Sequence, residues 1–300
     1  MRIAFLGSAD SWYLRDLQRA AGTRHELVAL PFSRLASSVA ADRLAVTSPP
    51  GDLNGLDAVL VRTMPPGSLE QVVFRMDALA QAEAAGGLVV NPPRAIEVAV
   101  DKYLATARLR AAGLRTPETI VCQDVESAVE AFQLLGGDVV LKPLFGSEGR
   151  GIARLQDEAL AQRTFQLLVQ LGAVIYLQRF IPHEGVDLRV LVIGSQVLGM
   201  RRRNPQDWRT NISRGAVGEP CVVEEPLAQM AHRAAQAVGA TVAGVDILPG
   251  RDGLLYTLEV NAVPGWKGLA RACRVDVAAL VLEHLAELSR RRGPADPDSR

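Results

Sequence analysis

The sequence predicts an α/β protein built of more than one lobe, and three observations predict it. Short apolar runs alternate with helix-length segments from residue 1 to about 92, the pattern of a mainly parallel sheet. A glycine-rich turn, Phe145-Gly146-Ser147-Glu148-Gly149-Arg150-Gly151, lies between two strand-like runs. The last third is strand-rich, and its final two strands flank the turn Pro249-Gly250-Arg251-Asp252-Gly253. At 300 residues and 32.2 kDa the chain has room for one large domain or a few small lobes.

Ile3–Leu6 reads as a first buried strand, Trp12–Ala21 as a helix and Glu26–Leu30 as a second strand. Ala58–Arg62 is a short apolar run that closes in Met64-Pro65-Pro66-Gly67, after which Ser68 can cap a helix to about Ala85. Leu88–Val90 is a strand ended by Asn91-Pro92-Pro93, and these prolines mark the end of a first lobe, 1–92. Ala95–Ala112 is helix-like, broken near Asp101 and closed by Gly113. Thr119–Cys122, Val139–Lys142 and Ile152–Leu155 are strands, with helices at Val125–Leu135 and over 157–171. No helix starts after the glycine turn, so a P-loop or dinucleotide fingerprint is excluded. This second lobe runs over 93–180.

In the third lobe, 181–292, Leu188–Ile193 and Gln196–Arg201 follow a strand at Val174–Arg179. An irregular, arginine-bearing loop is expected from Arg202 to Gly215, then a helix over Pro226–Val238. Thr241–Leu248 and Leu254–Val260 form a hairpin, and Val275–Arg291 is a final helix. Residues 293–300 are expected to be a frayed tail.

Composition narrows the function classes. Lys plus Arg is 33 and Asp plus Glu is 33, so the zero net charge argues against a nucleic-acid partner. No apolar run approaches the ~20 residues of a membrane span. The N-terminal apolar stretch is too short for a signal peptide. Cys122, Cys221 and Cys273 are odd in number and form no CxxC, which supports neither a disulfide framework nor a zinc site. A cytoplasmic location is therefore expected. No Gly-x-Ser-x-Gly occurs and the four histidines fall in no ligand spacing.

The basic residues include only three lysines, Lys102, Lys142 and Lys267; the others are arginine. A lysine that persists in so arginine-rich a chain marks a place where a compact ammonium is wanted rather than a planar fork. Lys142 ends a strand just before the glycine turn, where small residues let backbone N–H groups approach an anion. An ordinary hairpin with loose glycines is the plain alternative, as a surface position is for Lys102.

The terminal hairpin carries the sharpest signal. With its turn centred between Asp252 and Gly253, Asp246 faces Glu259, and Glu259 and Asn261 share a strand face. Two carboxylates and an amide among apolar neighbours repel or stay solvated unless a cation joins them, and hard oxygen donors suit magnesium shared with phosphates. A solvated hairpin face is the alternative. Arginines cluster at Arg201, Arg202, Arg203, Arg209 and Arg214, with Arg189 on a neighbouring strand. Singly each reads as solvated; together they can hold a carboxylate-rich or phosphorylated substrate.

Taken in order, these pieces resemble the RimK-like ATP-grasp α-L-glutamate ligases. The resembling stretches are Asp101-Lys102-Tyr103, Val140 to Gly151, Tyr176 to Ile181, Asp187-Leu188-Arg189, Trp208 to Asn211, Gly244-Val245-Asp246 and Leu258 to Gly265. The resemblance implies an ATP-grasp fold in which two α+β lobes clamp ATP behind a small parallel-sheet lobe. It implies that Lys102, Lys142, Arg209 and Asn211 meet the phosphates and that Gly146, Ser147, Gly149 and Gly151 close over them. Gln178, Arg179 and Phe180 would form the hinge along adenine, with Asp187 at the ribose. Asp246, Glu259 and Asn261 would hold magnesium or manganese, two ions in all. Relatives carry an acidic residue where Arg179 stands, so a side-chain contact to the adenine amino group is not expected.

The implied reaction adds L-glutamate to a carboxylate acceptor through an acyl phosphate, with Arg189, Arg202, Arg203 and Arg214 gripping the γ-phosphate and carboxylates. The forms Lys142-Pro143-Leu144-Phe145-Gly146-Ser147 and Asn261-Ala262-Val263-Pro264-Gly265-Trp266 look closest to ligases acting on a tetrahydromethanopterin-type C1 carrier. The alternatives are the branch that modifies a ribosomal protein C-terminus and a non-catalytic nucleotide-binding regulator. Similar ligases assemble as dimers or tetramers, so a homo-oligomer is an expectation of the same kind.

Overall fold

A computed structural model describes residues 1–41, 44–49, 51–146 and 149–292. Ser147 and the tail 293–300 lie outside the described residues. The chain opens with β1 (Arg2–Leu6), α1 (Trp12–Ala21) and β2 (Glu26–Leu30). Short strands that the pattern did not announce follow: β3 (Ala36–Val39), β4 (Leu44–Ser48) and β5 (Gly51–Asp52), paired antiparallel. Their polar, exposed residues give β3 no apolar alternation to read. Then come β6 (Ala58–Val61), α2 (Leu69–Ala84) and β7 (Val89–Val90). The parallel sheet runs β2-β1-β6-β7. Its central strands are covered on both faces, which is why they read as unbroken apolar runs. Ser68 caps α2 as expected, in a reciprocal box with Gln71.

The next stretch is α3 (Pro93–Val100) and α4 (Lys102–Ala111), divided at Asp101. Asp101 ends α3 and caps α4 by accepting a hydrogen bond from the Leu104 N–H at 3.0 Å. Then β8 (Thr119–Cys122), α5 (Val125–Leu134), β9 (Val139–Lys142), β10 (Ala153–Leu155), α6 (Glu158–Gln170) and β11 (Ile175–Arg179) build an antiparallel sheet in the order β10-β9-β11-β8. Ile175 and Leu177 point into a core with α5 and α6, and so Tyr176 and Gln178 point the other way.

The last sheet, β14-β13-β12-β15-β16, is antiparallel throughout. It comprises β12 (Val186–Ile193), β13 (Gln196–Arg203), β14 (Val217–Cys221), β15 (Val242–Pro249) and β16 (Leu255–Asn261), with α7 (Glu225–Val238) before β15. Helices α8 (Lys267–Cys273) and α9 (Val277–Arg292) end the chain. One sequence reading is corrected here and two elements are added. β13 continues through Arg203, because its backbone pairs with both β12 and β14. β14, rich in polar and small residues, lies beyond the expected Arg202–Gly215 loop, where the sequence pattern announced no element. A separate α8 precedes the final helix.

The hairpin holds a subtler correction. Pro249 pairs with Leu255, so its turn centres on Asp252 rather than between Asp252 and Gly253. An irregularity beside Asp246 leaves Leu258 without a partner in the register and shifts the pairing by one residue. The shift restores Asp246 opposite Glu259, the pair expected from a symmetric turn.

Two apolar cores join the first sheet to the last, through α2, α3 and α7 on one side and α1 and α9 on the other. The β10-β9-β11-β8 sheet has a core of its own. Among the described residues no helix is long and apolar enough to cross a membrane.

Candidate active site

The polar face of the β10-β9-β11-β8 sheet looks across a cleft at β12, β15 and β16. Lys142, Gln178, Asp187, Arg202, Asp246 and Glu259 all line it. Lys142 is the last residue of β9, and its Nζ donates to Gln178 Oε1 at 2.7 Å. Lys102 is the first residue of α4, and its Nζ donates to the Gly146 carbonyl at 2.7 Å. Burial lowers both ammonium pKa values, that of Lys142 to about 8, and the Glu259 carboxylate opposes the fall in each. Lys142 also feels the charge of Lys102. Two lysines far apart in the chain thus share one electrostatic neighbourhood with the end of the hairpin.

On the opposite wall Asp246 and Glu259 are directly paired, and Asn261 lies two residues on, opposite Gly244. Arg189 Nη1 donates to Asp246 Oδ1 at 2.7 Å, and Arg202 Nη2 lies 3.1 Å from Asp246 Oδ2. Arg202 also forks onto Asp187, at 2.7 and 2.5 Å. Burial works against an ionised Asp246, but the Arg189 and Arg202 guanidiniums outweigh it and hold the carboxyl below its usual value. A Cβ on Gly244 would collide with the Arg189 guanidinium, so glycine there lets the arginine lie across β15.

The expected residues divide by what they touch. Asp187 is 2% exposed and gives both oxygens to Arg202 rather than to open space. Arg202 is a buried clamp for two carboxylates. Arg203 is corrected: alternation along β13 puts it on the exposed face, and it does not line the cleft. Arg214 is exposed, and its Nη2 donates to the Gly149 carbonyl at 3.4 Å. Gly149 has φ of 70°, and a Cβ there would come within 2.5 Å of Asn211 Oδ1. The glycine turn therefore rests against the 204–216 loop. Gly146 and Gly151 also hold positive φ, 151° and 71°. Arg209 lines the cleft while forking onto Asp207.

The expected hinge residues Gln178, Arg179 and Phe180 all line the cleft. The Gln178 side chain is 2% exposed and turned to Lys142 instead of to a base edge. The Arg179 N–H donates to the Glu118 carbonyl, and its guanidinium pairs with the Glu118 carboxylate at 2.6 Å. The Phe180 N–H donates to the Asp138 carbonyl, and its ring carries the Arg154 guanidinium at 3.5 Å.

Some residues were missed. Tyr176 lies between Gln178 and Thr106, and its place two residues before Gln178 was a usable signal. Arg62 and Asn91 hold the loop that follows Asn261. Arg62 Nη2 donates to the Pro264 carbonyl at 2.6 Å and Asn91 Nδ2 to the Ala262 carbonyl at 2.5 Å. Arg62 is buried between the Tyr13 and Trp266 rings, and burial pulls its pKa down to about 10. Nothing in local sequence marks that role.

The donors on the hairpin suit a hard cation. Glu259 makes no hydrogen bond or ion pair with another described residue, and Asn261 Oδ1 accepts only one, from the Val263 N–H at 2.8 Å. Among the described residues no cluster of three His, Cys, Asp or Glu exists, so such an ion would complete its shell with water and phosphate oxygens.

Comparison with known proteins agrees with this arrangement. A family model described as the RimK-like ATP-grasp domain matches residues 99–285. The chain is 35% identical over 265 residues to a tetrahydromethanopterin:alpha-L-glutamate ligase of Methanosarcina acetivorans, covering 79% of this chain and 82% of that one. It is 32% identical over 296 residues to a probable alpha-L-glutamate ligase of Stenotrophomonas maltophilia, covering 97% and 100%. The solved ATP-grasp ligase PsnB, complexed with a minimal precursor, Mg and ADP, superposes with a TM-score of 0.74 at 23% identity, over 96% of this chain and 98% of that one. That likeness establishes the fold. On the family match, the identities and the fold together, the chain belongs to the RimK-like ATP-grasp ligases, ADP-forming enzymes that make C–N bonds.

Proposed function

We propose that the protein joins L-glutamate to the carboxylate of a small C1-carrier coenzyme of the tetrahydromethanopterin type, through an acyl phosphate. The observation that carries the reaction is the convergence of Lys142, Asp246 and Glu259 on one cleft, with Lys102 close enough to feel the Glu259 charge. The acceptor is supported by the 35% identity to the archaeal ligase of that name.

In this reading Lys142 and Lys102 neutralise the triphosphate, and Arg209 and Asn211 approach it from the 204–216 loop. The glycine turn, with Arg214 against Gly149, covers the phosphates and excludes water. Asp246, Glu259 and Asn261 would hold magnesium or manganese, two ions in all. When bound, the metal neutralises charge on the phosphates and orients the γ-phosphoryl group for the acceptor carboxylate. Arg189, already held by Asp246, is placed to meet the transferred phosphoryl oxygens. Arg202 orients Asp187 and Asp246 and, with Arg189, holds Asp246 ionised. The amine of glutamate then displaces phosphate from the acyl phosphate and forms the amide.

A mass gain of one glutamyl residue on a pterin acceptor, with stoichiometric ADP, tests the proposal. A protein acceptor is the second reading. The near full-length relative is named for the glutamate and not for its acceptor, which leaves this reading open. Gain of glutamate on a ribosomal protein, with none on the pterin, would favour it. No ADP release with either acceptor overturns both in favour of a regulatory nucleotide-binding role.

A further inference from the structure

The Lys142 ammonium is met by one neutral oxygen, Gln178 Oε1, and that oxygen is one end of an amide that can turn over. What decides the orientation lies behind it. The Thr119 hydroxyl donates to the Pro117 carbonyl at 3.0 Å, and a carbonyl can only accept. Thr119 Oγ1 is therefore left as an acceptor, which the Gln178 Nε2 group fills at 3.0 Å. Gln178 Nε2 also reaches the Tyr176 hydroxyl at 3.3 Å, and Tyr176 in turn lies 2.8 Å from Thr106 Oγ1. Tyr176 is 1% exposed and Gln178 2%, so neither has water as a substitute partner.

We infer that Tyr176, with Thr119 and Thr106, is a positioning residue for the phosphate-binding lysines, fixing which end of the Gln178 amide meets Lys142. Thr106 lies one turn after Lys102 on α4, so the same chain of hydrogen bonds ties the element carrying Lys102 to the strand that holds Lys142. Register supports this. Tyr176 pairs with Lys142, and Gln178 with Thr119, so all four side chains leave the sheet on the face toward α4 and the cleft. Without the Tyr176 hydroxyl, the amide loses one of two acceptors that reward its present orientation. The turned-over amide would set N–H groups against an ammonium.

This rests on the proposed role of Lys142, and the test separates the two. Binding of ATP with magnesium is titrated for wild type, Lys142→Ala, Tyr176→Phe, Gln178→Glu and the Tyr176→Phe/Gln178→Glu pair. Tyr176→Phe is expected to weaken ATP binding about fivefold, with the KM for glutamate within about twofold of wild type. A glutamate at 178 offers Lys142 an oxygen whichever way it turns, so Tyr176→Phe is expected to weaken ATP binding less in that background than in wild type. A general packing defect would instead add in both backgrounds, and additivity overturns the inference. So does unchanged ATP affinity in Tyr176→Phe while Lys142→Ala is weakened. If Lys142→Ala is itself unaffected, the phosphate role of Lys142 fails first. Should Gln178→Glu not fold, Thr106→Val decides, since unchanged ATP affinity there breaks the chain at its far end.

Discussion

Lys142 and Asp246 face the same cleft from opposite walls, yet each is kept polar in a different way. Among the described residues the hydrogen-bond partner of Lys142 is neutral, the Gln178 amide, backed in turn by two threonine hydroxyls and a phenol. Around Asp246 the partners are charged, two arginines and through them a second aspartate. Neutral partners leave burial largely uncompensated, so the Lys142 ammonium gives up its proton easily. Charged partners overcome burial and hold Asp246 ionised. The lesson is one of division of labour. One wall holds a buried ammonium among neutral groups, while the other holds a buried carboxylate within a network of charges.

The strongest way to break the comparison is at Glu259. Glu259→Ala is expected to cut acceptor-dependent ADP release by about a thousandfold or more, with the melting temperature little changed. Retained turnover would remove the hairpin from the chemistry. Next is Arg202→Met, which strands Asp187 without a counter-charge and leaves Asp246 with Arg189 alone. About 3–5 kcal/mol of stability should be lost, read by urea denaturation. A much smaller loss would mean that the charged wall is as forgiving as the neutral one.

Lys142→Ala tests that neutral wall, and loss of a charge-assisted contact should weaken ATP binding about ten- to a hundredfold. The pH dependence sharpens it. ATP favours the protonated lysine, so affinity is full below a pKa of about 8 and declines as pH rises through it, by at most about tenfold per pH unit. Lys142→Ala should abolish that decline. The smallest effect is expected at Arg203. Its side chain leaves β13 on the exposed face, so Arg203→Ala should change stability by less than about 0.5 kcal/mol and turnover not measurably. Loss of turnover there would restore the role that sequence reading assigned to it.

Much of the architecture was legible because local signals agreed. Buried parallel strands read as apolar runs, Ser68 and Asp101 mark helix starts, and the scarcity of lysine singles out Lys102 and Lys142. The pairing of Asp246 with Glu259 was readable from hairpin symmetry, although a one-residue irregularity and an offset turn had to cancel to produce it. Less was legible between Arg202 and Cys221. There a strand continues and another begins on the strength of ladder partners elsewhere in the chain, among polar residues that show no alternation.

Periodicity, capping chemistry and residue scarcity act within one segment, so the longer helices, the apolar strands and the candidate side chains Lys102, Lys142, Asp246 and Glu259 could be read from the amino-acid sequence alone. Which face Arg202 and Arg203 take, which end of Gln178 meets Lys142, and that Arg62 grips the loop beyond Asn261 depend on groups distant in the chain. Those choices were made only when separate elements packed, because a buried hydrogen bond or ion pair is worth forming only where water has been excluded by a neighbour.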